Sequence, residues 1–233
     1  MKTKSATATK AELSRDAVVD RALALADEEG LAAVTIRRLA QEFGVTPMAL
    51  YWHVSSKDEL FDAMGDRFFA GMRADDVAST GPWPDQLRRM IAAIVAVLRA
   101  HPAAAHLAAE RILQCEPGRD IAERALGLLR DAGFPTSQAA DIAGHALQTA
   151  LMLVVQQPGE PTVAAAERAE IMETKRKALA SLPPERYPNL IASADALTNC
   201  DDEDAYLMGG IDLFVAGVQA LQPAPSATHR AAR

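Results

Sequence analysis

The sequence predicts an all-α fold, and three observations support this prediction. Apolar residues recur at helical spacing along almost the entire chain. The chain has no sustained alternation of apolar and polar residues, and it has no Asn-Gly or Asp-Gly dipeptide to mark a hairpin. Aromatic residues make up only 5% of the 233 residues while Ala and Leu abound, which favours closely packed helices. A chain of this length can bury a substantial core.

The first two helices are delimited by residues that cap helix ends. Ser14 is the expected N-cap of the first helix, which ends at Gly30. Thr35 caps the second helix, and Gly44 supplies the tight turn that follows it. Both helices therefore have defined ends in the sequence itself.

A third, short helix is predicted over residues 47–54. Thr46 is its N-cap, and Pro47 occupies the first helical position, where a missing N–H costs nothing. At 100° per residue, Leu50 and Val54 lie within about 40° of each other and face the core. The side chains on the opposite arc point outward: Met48, Ala49, Tyr51, Trp52 and His53.

The rest of the chain continues as helices separated by Gly, Pro and polar turns. A capping box formed by Ser56 and Glu59 begins the fourth helix. The predicted helices are 56–72, 83–100, 103–114, 121–132, 137–157, 162–181 and 202–221. We expect a small helical domain over 12–60, a larger helical domain over 61–222, and flexible tails at 1–11 and 223–233.

The composition excludes several classes of protein. The longest apolar run, 150–155, is far shorter than the roughly 18 residues of a membrane span, so no membrane partner is expected. The polar start of the chain lacks the apolar segment of a signal peptide. Cys115 and Cys200 have neither metal-ligand nor disulfide spacing, which indicates two reduced thiols in a cytoplasmic protein. No metal or cofactor is expected.

The charge distribution is uneven. The formal net charge of −7 opposes unspecific binding to nucleic acid. Residues 35–57, however, contain three positive side chains, Arg37, Arg38 and Lys57, against Glu42 alone, for a local charge of +2. This segment is therefore the part of the chain that suits a polyanion.

The second helix, the turn at Gly44 and the short third helix have the form of a helix-turn-helix that enters the major groove. Thymine methyl groups suit Met48, Ala49 and the Tyr51 ring, while phenol, indole and imidazole groups can bond to phosphates. Arg37 could reach a guanine edge, and Lys57 suits a phosphate. The alternative is a surface aromatic cluster that packs on another subunit or domain.

The segment TIRRLAQEFGVTPMALYWHVSSKDEL, residues 35–60, resembles the DNA-binding signature of TetR/AcrR-type repressors. The shared features are a Thr-containing cap, an A-x-x-x-G-V core, L-Y-x-H-[FV] and a following K-x-x-L. The string at 50–54 is especially similar to that of tetracycline repressors. The specific match covers roughly residues 12–65.

The resemblance implies a ligand-responsive transcriptional regulator, namely a repressor that binds a double-stranded DNA operator and is released by a small molecule. It implies phosphate or backbone contacts for Thr35, Tyr51, His53 and Lys57. It implies base-side contacts for Arg37, Thr46, Pro47, Met48 and Ala49.

A homodimer is expected because one helix-turn-helix reads only half of a palindromic operator, and the second must lie about 34–36 Å away. Two apolar stripes are candidate interfaces. The first comprises Ala143, Ala146, Leu147, Ala150, Leu151 and Val154, and the second Leu207, Gly210, Phe214, Gly217, Val218 and Leu221. The resemblance implies that these helices pair with their symmetry mates as a four-helix bundle. The alternative is a purely intrachain core.

The resemblance also implies a ligand pocket enclosed by residues 83–130 and 137–157. The candidate lining residues are Trp83, Met90, Ile94, His106, Arg111, Cys115, His145, Gln148 and Met152. Most of them would serve equally well as core residues. Tetracycline repressors place a drug-binding His where this chain has Arg73, and His106 is out of register with their metal-ligating His. We therefore expect an unidentified small, mostly apolar effector.

Two rival functions fit the sequence less well. The sequence contains no Ser/His/Asp order, no paired carboxylates in an apolar context, no phosphate loop and no zinc motif, so an enzyme is not expected. A protein-interaction module could instead use the surface at 51–53 to bind a partner. Binding to duplex DNA would discriminate between these interpretations.

Overall fold

The computed structural model describes residues 13–70, 80–102, 105–155, 165–198 and 202–222. These residues form α-helices and contain no strand, as the sequence predicts. No helix within these ranges is long and apolar enough to cross a membrane. The helices are α1 Arg15–Glu29, α2 Ile36–Phe43, α3 Pro47–Tyr51, α4 Lys57–Ala70, α5 Trp83–Ala100, α6 Ala105–Arg111, α7 Glu116–Asp131, α8 Thr136–Val155, α9 Ala165–Ala180, α10 Pro188–Ala192, α11 Ala194–Thr198 and α12 Glu203–Ala220. The expected tails, Arg73 and Cys200 lie outside the described residues.

The chain divides into two compact units. The first is drawn from residues 1–75 and 97–124, and the second from residues 76–96 and 125–233. In the first unit α1 packs against α2 and α4, α2 packs against α3, and α4 packs against α6. In the second unit α8 packs against α12, and α9 packs against α10 and α11. The functional division expected between residues 60 and 61 stays a prediction.

The caps of α1 are as predicted, and its C-terminal part is tied to the segment after α5. The Ser14 hydroxyl accepts a hydrogen bond from the N–H of Ala17 at 3.2 Å. Gly30 ends the helix at a φ of 85°. Within the same unit, Nδ1 of His101 lies 2.7 Å from the carboxylate of Asp27, and the Phe68 ring lies 6.2 Å from the imidazole.

Helices α4 and α6 are joined by an arginine. The Arg111 guanidinium forms an ion pair with Asp62 and lies 3.9 Å from Asp58, one turn earlier on α4. A Cβ added to Gly65 would lie only 3.3 Å from the Cβ of Arg111, so the two helices approach closely at that point. Arg111 is one of the predicted pocket residues, and in the structure its guanidinium lies against Asp58 and Asp62 of α4.

Helix α7 begins earlier than predicted. The sequence predicts a turn at Glu116-Pro117-Gly118 and a helix from 121, but α7 starts at Glu116. Pro117 lies in the first turn, where its missing N–H is not needed. Gly118 is required because an added Cβ would lie 2.0 Å from the carbonyl oxygen of Ile112. The short helices α10 and α11 are not predicted by the sequence either.

The first apolar stripe lies largely inside the second unit, which favours the intrachain alternative for its residues. Four residues of the first stripe are buried within this chain: Ala146, Ala150, Leu151 and Val154. Leu207 and Val218 of the second stripe are also buried. Gly210 lies against α8, where an added Cβ would be 2.5 Å from the Leu153 side chain. The intrachain alternative therefore describes most of the first stripe, whereas Gly217 and Leu221 of the second stripe are exposed.

A different face of α12 is exposed in the chain. Its large apolar side chains are Tyr206, Leu213 and, just after the helix, Leu221. Met208 is also exposed, but it lies nearer the buried residues of the helix. Leu213 is 78% exposed. Helices with one buried and one exposed apolar face are typical of surfaces that bind another chain.

Candidate nucleic-acid interface

The turn between α2 and α3 is built from local hydrogen bonds. The Thr35 hydroxyl accepts from the N–H of Arg38 at 3.1 Å and begins α2. Gly44 ends α2 in the left-handed conformation, at a φ of 63°. The Thr46 hydroxyl accepts from the N–H of Ala49 at 3.3 Å, and Pro47 is the first residue of α3. These caps confirm the sequence predictions for the two helix starts.

Helix α3 separates buried from exposed side chains as predicted. Leu50 and Val54 are fully buried. Met48 and Trp52 are 68% and 85% exposed, and Tyr51 is also exposed. Three apolar or aromatic side chains therefore meet solvent within five residues.

The regular helix ends at Tyr51, three residues before the predicted end. The N–H groups of His53 and Val54 both donate to the carbonyl oxygen of Leu50, at 2.8 and 3.0 Å, so the chain leaves the helix through a turn. Trp52 and His53 are carried on this turn. Ala49 and His53 are only partly exposed, in contrast to the full outward position expected of them. Burial of Val54 anchors the turn on the core.

Two cations lie on the exposed side of this unit. Arg37 is exposed and has no ion-pair partner among the described residues. Lys57 is exposed at the start of α4, with its Nζ 5.0 Å from the centre of the Phe61 ring. An exposed contact of this kind contributes only about 0.5–1 kcal/mol, so the ammonium stays available to an anion.

Arg38, by contrast, belongs to an ion-pair network that joins α1 to α2. It pairs with Glu29 at 2.7 Å and with Glu42. Arg21 pairs with Glu28 and with Glu42, each at 2.8 Å. Hydrogen bonds from Arg21 hold the pKa of Glu28 and of Glu42 below the usual value. The local positive charge counted from the sequence therefore comes from Arg37 and Lys57, and not from Arg38.

The start of α4 uses a variant of the predicted capping box. The Ser56 hydroxyl accepts from the N–H of Glu59 at 3.0 Å, as expected. The Glu59 carboxylate accepts from the N–H of Ser55 at 2.7 Å and from the Ser55 hydroxyl, and not from Ser56. These bonds from Ser55 lower the pKa of the Glu59 carboxyl. Glu59 also lies 3.5 Å from the guanidinium of Arg15 on α1.

The residues predicted to line a ligand pocket fall into both units. In the first unit, Cys115 is buried and free, and burial raises the pKa of its thiol. The side chain of His106 lies outside the described residues. In the second unit, Met90 and Ile94 are buried, and Trp83 packs edge-on against Phe134 at 5.6 Å between ring centres.

The three candidates on α8 lie together on one exposed side of that helix: His145, Gln148 and Met152. Met152 is 45% exposed. The expectation that a ligand satisfies these side chains stays a prediction. The structure places them on the surface of the second unit, as it does the exposed face of α12.

Two family models match the sequence. Residues 18–64 match a model described as bacterial regulatory proteins of the tetR family. Residues 78–222 match a model described as a tetracyclin repressor-like C-terminal domain.

Individual proteins are similar over different lengths. An HTH-type transcriptional regulator of Saccharopolyspora erythraea is 35% identical over 126 residues, which cover 54% of this chain and about half, 53%, of that protein. The tetracycline repressor protein class D of Escherichia coli is 27% identical over 212 residues, 90% of either chain. Among solved structures, ActR of Streptomyces coelicolor in complex with actinorhodin has a TM-score of 0.75 and 29% identity over 92% of this chain and 100% of its own.

Proposed function

This chain belongs to the TetR family of bacterial regulatory proteins, and we propose that it acts as a homodimeric repressor of a palindromic operator. Its function as a ligand-responsive transcriptional regulator follows from this membership. The proposal adds how this chain binds DNA, through which face it dimerises and which class of effector releases it from the operator. The curated relatives are regulators and not enzymes, and we assign no catalytic step, metal or cofactor to the mechanism. We place its action in the cytoplasm.

The observation that carries the proposal is the two-sided character of α3. Within α3 and the turn that follows it, Leu50 and Val54 are buried, while Met48, Tyr51 and Trp52 are exposed. A cluster of large exposed apolar side chains is typical of a surface that binds a partner. A major groove offers thymine methyl groups to the apolar surfaces and phosphates to the polar ends of the rings.

Each predicted contact residue has a role in this arrangement. The residues proposed to face the bases are Arg37, Thr46, Pro47, Met48 and Ala49. The residues proposed to hold the phosphates are Thr35, Tyr51, Trp52, His53 and Lys57. Arg37 suits a guanine edge because it has no competing carboxylate among the described residues. The N–H groups at the start of α4 provide further donors to a phosphate.

The dimer would use the exposed face of α12 together with the exposed side of α8. Tyr206 and Leu213 on α12, and Met152 on α8, supply apolar surface that this chain does not cover itself. Pairing of the two helices with their symmetry mates gives a four-helix bundle, which buries these faces and holds two copies of α3 on one DNA duplex. Dimerisation and operator binding are thus coupled.

The proposed effector is a small, mostly apolar molecule. ActR was crystallised with actinorhodin, and the class D relative is named for tetracycline. Neither name identifies the effector of this chain. A ligand releases the operator only through its different affinity for the bound and free conformations; a hundredfold preference corresponds to about 2.7 kcal/mol.

The test begins with the isolation of an operator from a pool of random duplexes by the full-length protein. Gel-shift titrations then compare the parent with Tyr51→Ala and Lys57→Ala. We expect both variants to bind more weakly. Lys57→Ala should reduce the slope of log K against log salt by about 1.8 for the dimer, because each protomer loses one phosphate contact worth about 0.9. Lys175→Ala, an exposed lysine on α9, is the control and should bind like the parent.

Unchanged affinity in both variants would refute the proposed docking face. Failure of the parent to select any duplex would favour the alternative in which Trp52 and its neighbours bind a protein. Native mass spectrometry of the purified protein provides a separate search for a bound effector.

A further inference from the structure

Arg15 lies at the end of the interface between α1 and α4. It is the first residue of α1, and it shares the angular position of Val18 and Val19, which follow three and four residues later and are buried. The Arg15 side chain itself is 52% exposed. The core-facing side of α1 therefore begins with a cation at the surface of the first unit. The DNA contacts proposed above do not use it.

Two ion pairs join α1 to α4, and they differ in length. Arg67 of α4 lies 2.8 Å from Asp20 of α1. Arg15 lies 3.5 Å from Glu59, which is in the first turn of α4. The two pairs advance together along both helices, so α1 and α4 run in the same direction with their N-terminal ends side by side. A long, exposed ion pair contributes little to stability, so Arg15 can change partners at small cost.

The Glu59 carboxylate does not depend on Arg15 alone. Its Oε2 atom accepts a hydrogen bond from the N–H of Ser55 at 2.7 Å and another from the Ser55 hydroxyl. Arg15 contacts the other oxygen, Oε1. The first turn of α4 also favours a negative charge, because the free N–H groups at the start of a helix carry partial positive charge. Departure of the guanidinium would therefore leave the carboxylate with two hydrogen bonds.

Glu59 also places Arg15 beside the proposed phosphate contacts. Ser55, which binds one oxygen of the carboxylate, lies midway between His53 and Lys57 in the chain. Arg15 binds the other oxygen, so a single carboxylate separates its guanidinium from this segment. Both His53 and Lys57 are proposed to hold phosphates. The guanidinium therefore lies at the edge of the proposed docking face.

We propose that Arg15 binds a phosphate of the operator, next to the phosphates held by His53 and Lys57, and releases Glu59 when it does so. This inference rests on the proposed function. A guanidinium presents paired N–H donors that match two phosphate oxygens, and such a pair is stronger than the long, exposed contact that Arg15 leaves. A phosphate carries no sequence information, so Arg15 would add affinity and not base preference.

The experiment measures operator affinity of the full-length protein between roughly 50 and 200 mM salt, on the duplex selected by the parent. The variants are Arg15→Gln, Arg15→Lys, Glu59→Gln and the double variant Arg15→Gln/Glu59→Gln. Arg67→Gln is the matched control, because it breaks the other ion pair between α1 and α4 at a side chain of similar exposure, 48%. Arg67 lies about 15 Å further along α4 than Lys57, and thus further from the docking face.

We expect Arg15→Gln to bind more weakly than the parent and to rank operator sequences in the same order. It should reduce the slope of log K against log salt by about 1.8 for the dimer, because each protomer loses one phosphate contact worth about 0.9. Arg15→Lys should keep the slope, since it keeps the charge. Arg67→Gln should keep both the slope and the affinity of the parent. Glu59→Gln should bind at least as tightly as the parent, because Arg15 then has no competing carboxylate and the Gln oxygen can still accept from Ser55.

The double variant separates phosphate binding from a purely local role of Arg15. If Arg15 only offset the charge of Glu59, removal of both groups would restore the slope of the parent. If Arg15 binds a phosphate, the double variant should keep the reduced slope of Arg15→Gln.

An unchanged slope in Arg15→Gln, or a restored slope in the double variant, would overturn the inference. An equal loss in Arg67→Gln would also overturn it, because the effect would then come from the packing of α1 on α4. If Lys57→Ala reduces the slope and Arg15→Gln does not, the proposed function stands and only the contact of Arg15 is refuted. If the parent selects no duplex, the proposed function fails and the inference fails with it.

Discussion

Leu50 and Trp52 are two positions apart in the chain and have opposite surroundings. Leu50 is fully buried on the core side of α3, whereas Trp52 is 85% exposed. Removal of the Leu50 side chain leaves a cavity, so Leu50→Ala should lower the free energy of unfolding by about 2–5 kcal/mol. Trp52→Ala should change it by no more than about 0.5 kcal/mol and should weaken operator binding. Urea unfolding followed by circular dichroism, with gel-shift titration, measures both quantities.

Val54→Ala provides a second core variant for this comparison and should also lower the stability. A loss of several kcal/mol in Trp52→Ala would mean that the indole supports the fold. The assignment of this side chain to DNA would then be wrong.

The burial of Leu50 could be predicted because helix geometry separates it from Met48 and Tyr51. Val54 is buried as expected, although the turn after Tyr51, and not a continued helix, places it there. The ion pairs of Arg38 could be predicted only in part. Glu42 follows it at i+4, a spacing visible in the sequence. Its other partner, Glu29, lies on α1 and is brought near by the packing of α1 on α2, so the local sequence does not predict this second ion pair.

At the scale of elements, the ion-pair network between α1 and α2 makes their packing sensitive to acid. Glu28 and Glu42 have pKa values below the usual 4.5 in the folded chain, because Arg21 donates hydrogen bonds to them. Stabilisation from a lowered carboxyl pKa is complete above about 4.5 and is lost as the pH falls through the lowered value. We expect Glu42→Gln to reduce stability at neutral pH and to make the loss of stability below about pH 4.5 less steep. Thermal unfolding at several pH values measures this effect.

Glu185→Gln is a matched control, since Glu185 is exposed in the second unit, away from the network. Its pH profile should follow that of the parent. If the stability of Glu42→Gln falls with pH as steeply as that of the parent, the ion-pair network does not contribute to acid sensitivity.

Helix starts that carry a capping side chain could be predicted from the sequence. Ser14, Thr35 and Thr46 indicate the starts because a side chain and a backbone N–H within three residues form the cap. The early start of α7 depends on Gly118, which lies close to the carbonyl oxygen of Ile112. A pattern of single residues does not report such an approach, and Pro-Gly in other surroundings forms a turn.

For the whole molecule, the proposed dimer can be tested at Leu213. This side chain is 78% exposed on α12, so Leu213→Glu should preserve the fold of the monomer. A charge buried at the centre of a dimer interface is strongly unfavourable, and the variant should be monomeric and bind the operator at least tenfold more weakly. Sedimentation velocity and gel shift measure the two outcomes.

Leu113→Glu is the corresponding control, because Leu113 is 65% exposed in the turn after α6 of the first unit. It should sediment like the parent. A dimeric Leu213→Glu variant would remove this face of α12 from the proposed interface.

The sequence predicted the all-α class and the helix-turn-helix, but it did not predict which faces of α8 and α12 are free. Apolar residues occur on both faces of α12: Leu207 and Val218 are buried, and Tyr206 and Leu213 are exposed. Apolar periodicity reports that a face is covered and not which chain covers it. The packing of Gly210 against Leu153 distinguishes the two faces, and it depends on contacts between distant parts of the chain.

The shared arginine between α4 and α6 has a mechanical consequence. Asp58 and Asp62 lie one turn, about 6 Å, apart on α4, and Arg111 is within 4 Å of both. A lengthwise slip of α6 by that amount would transfer the guanidinium from one carboxylate to the other with its charge compensated throughout. Separation of the two helices would leave it with neither carboxylate. The ion pairs of Arg111 therefore oppose sliding of α6 along α4 less than they oppose separation of the two helices.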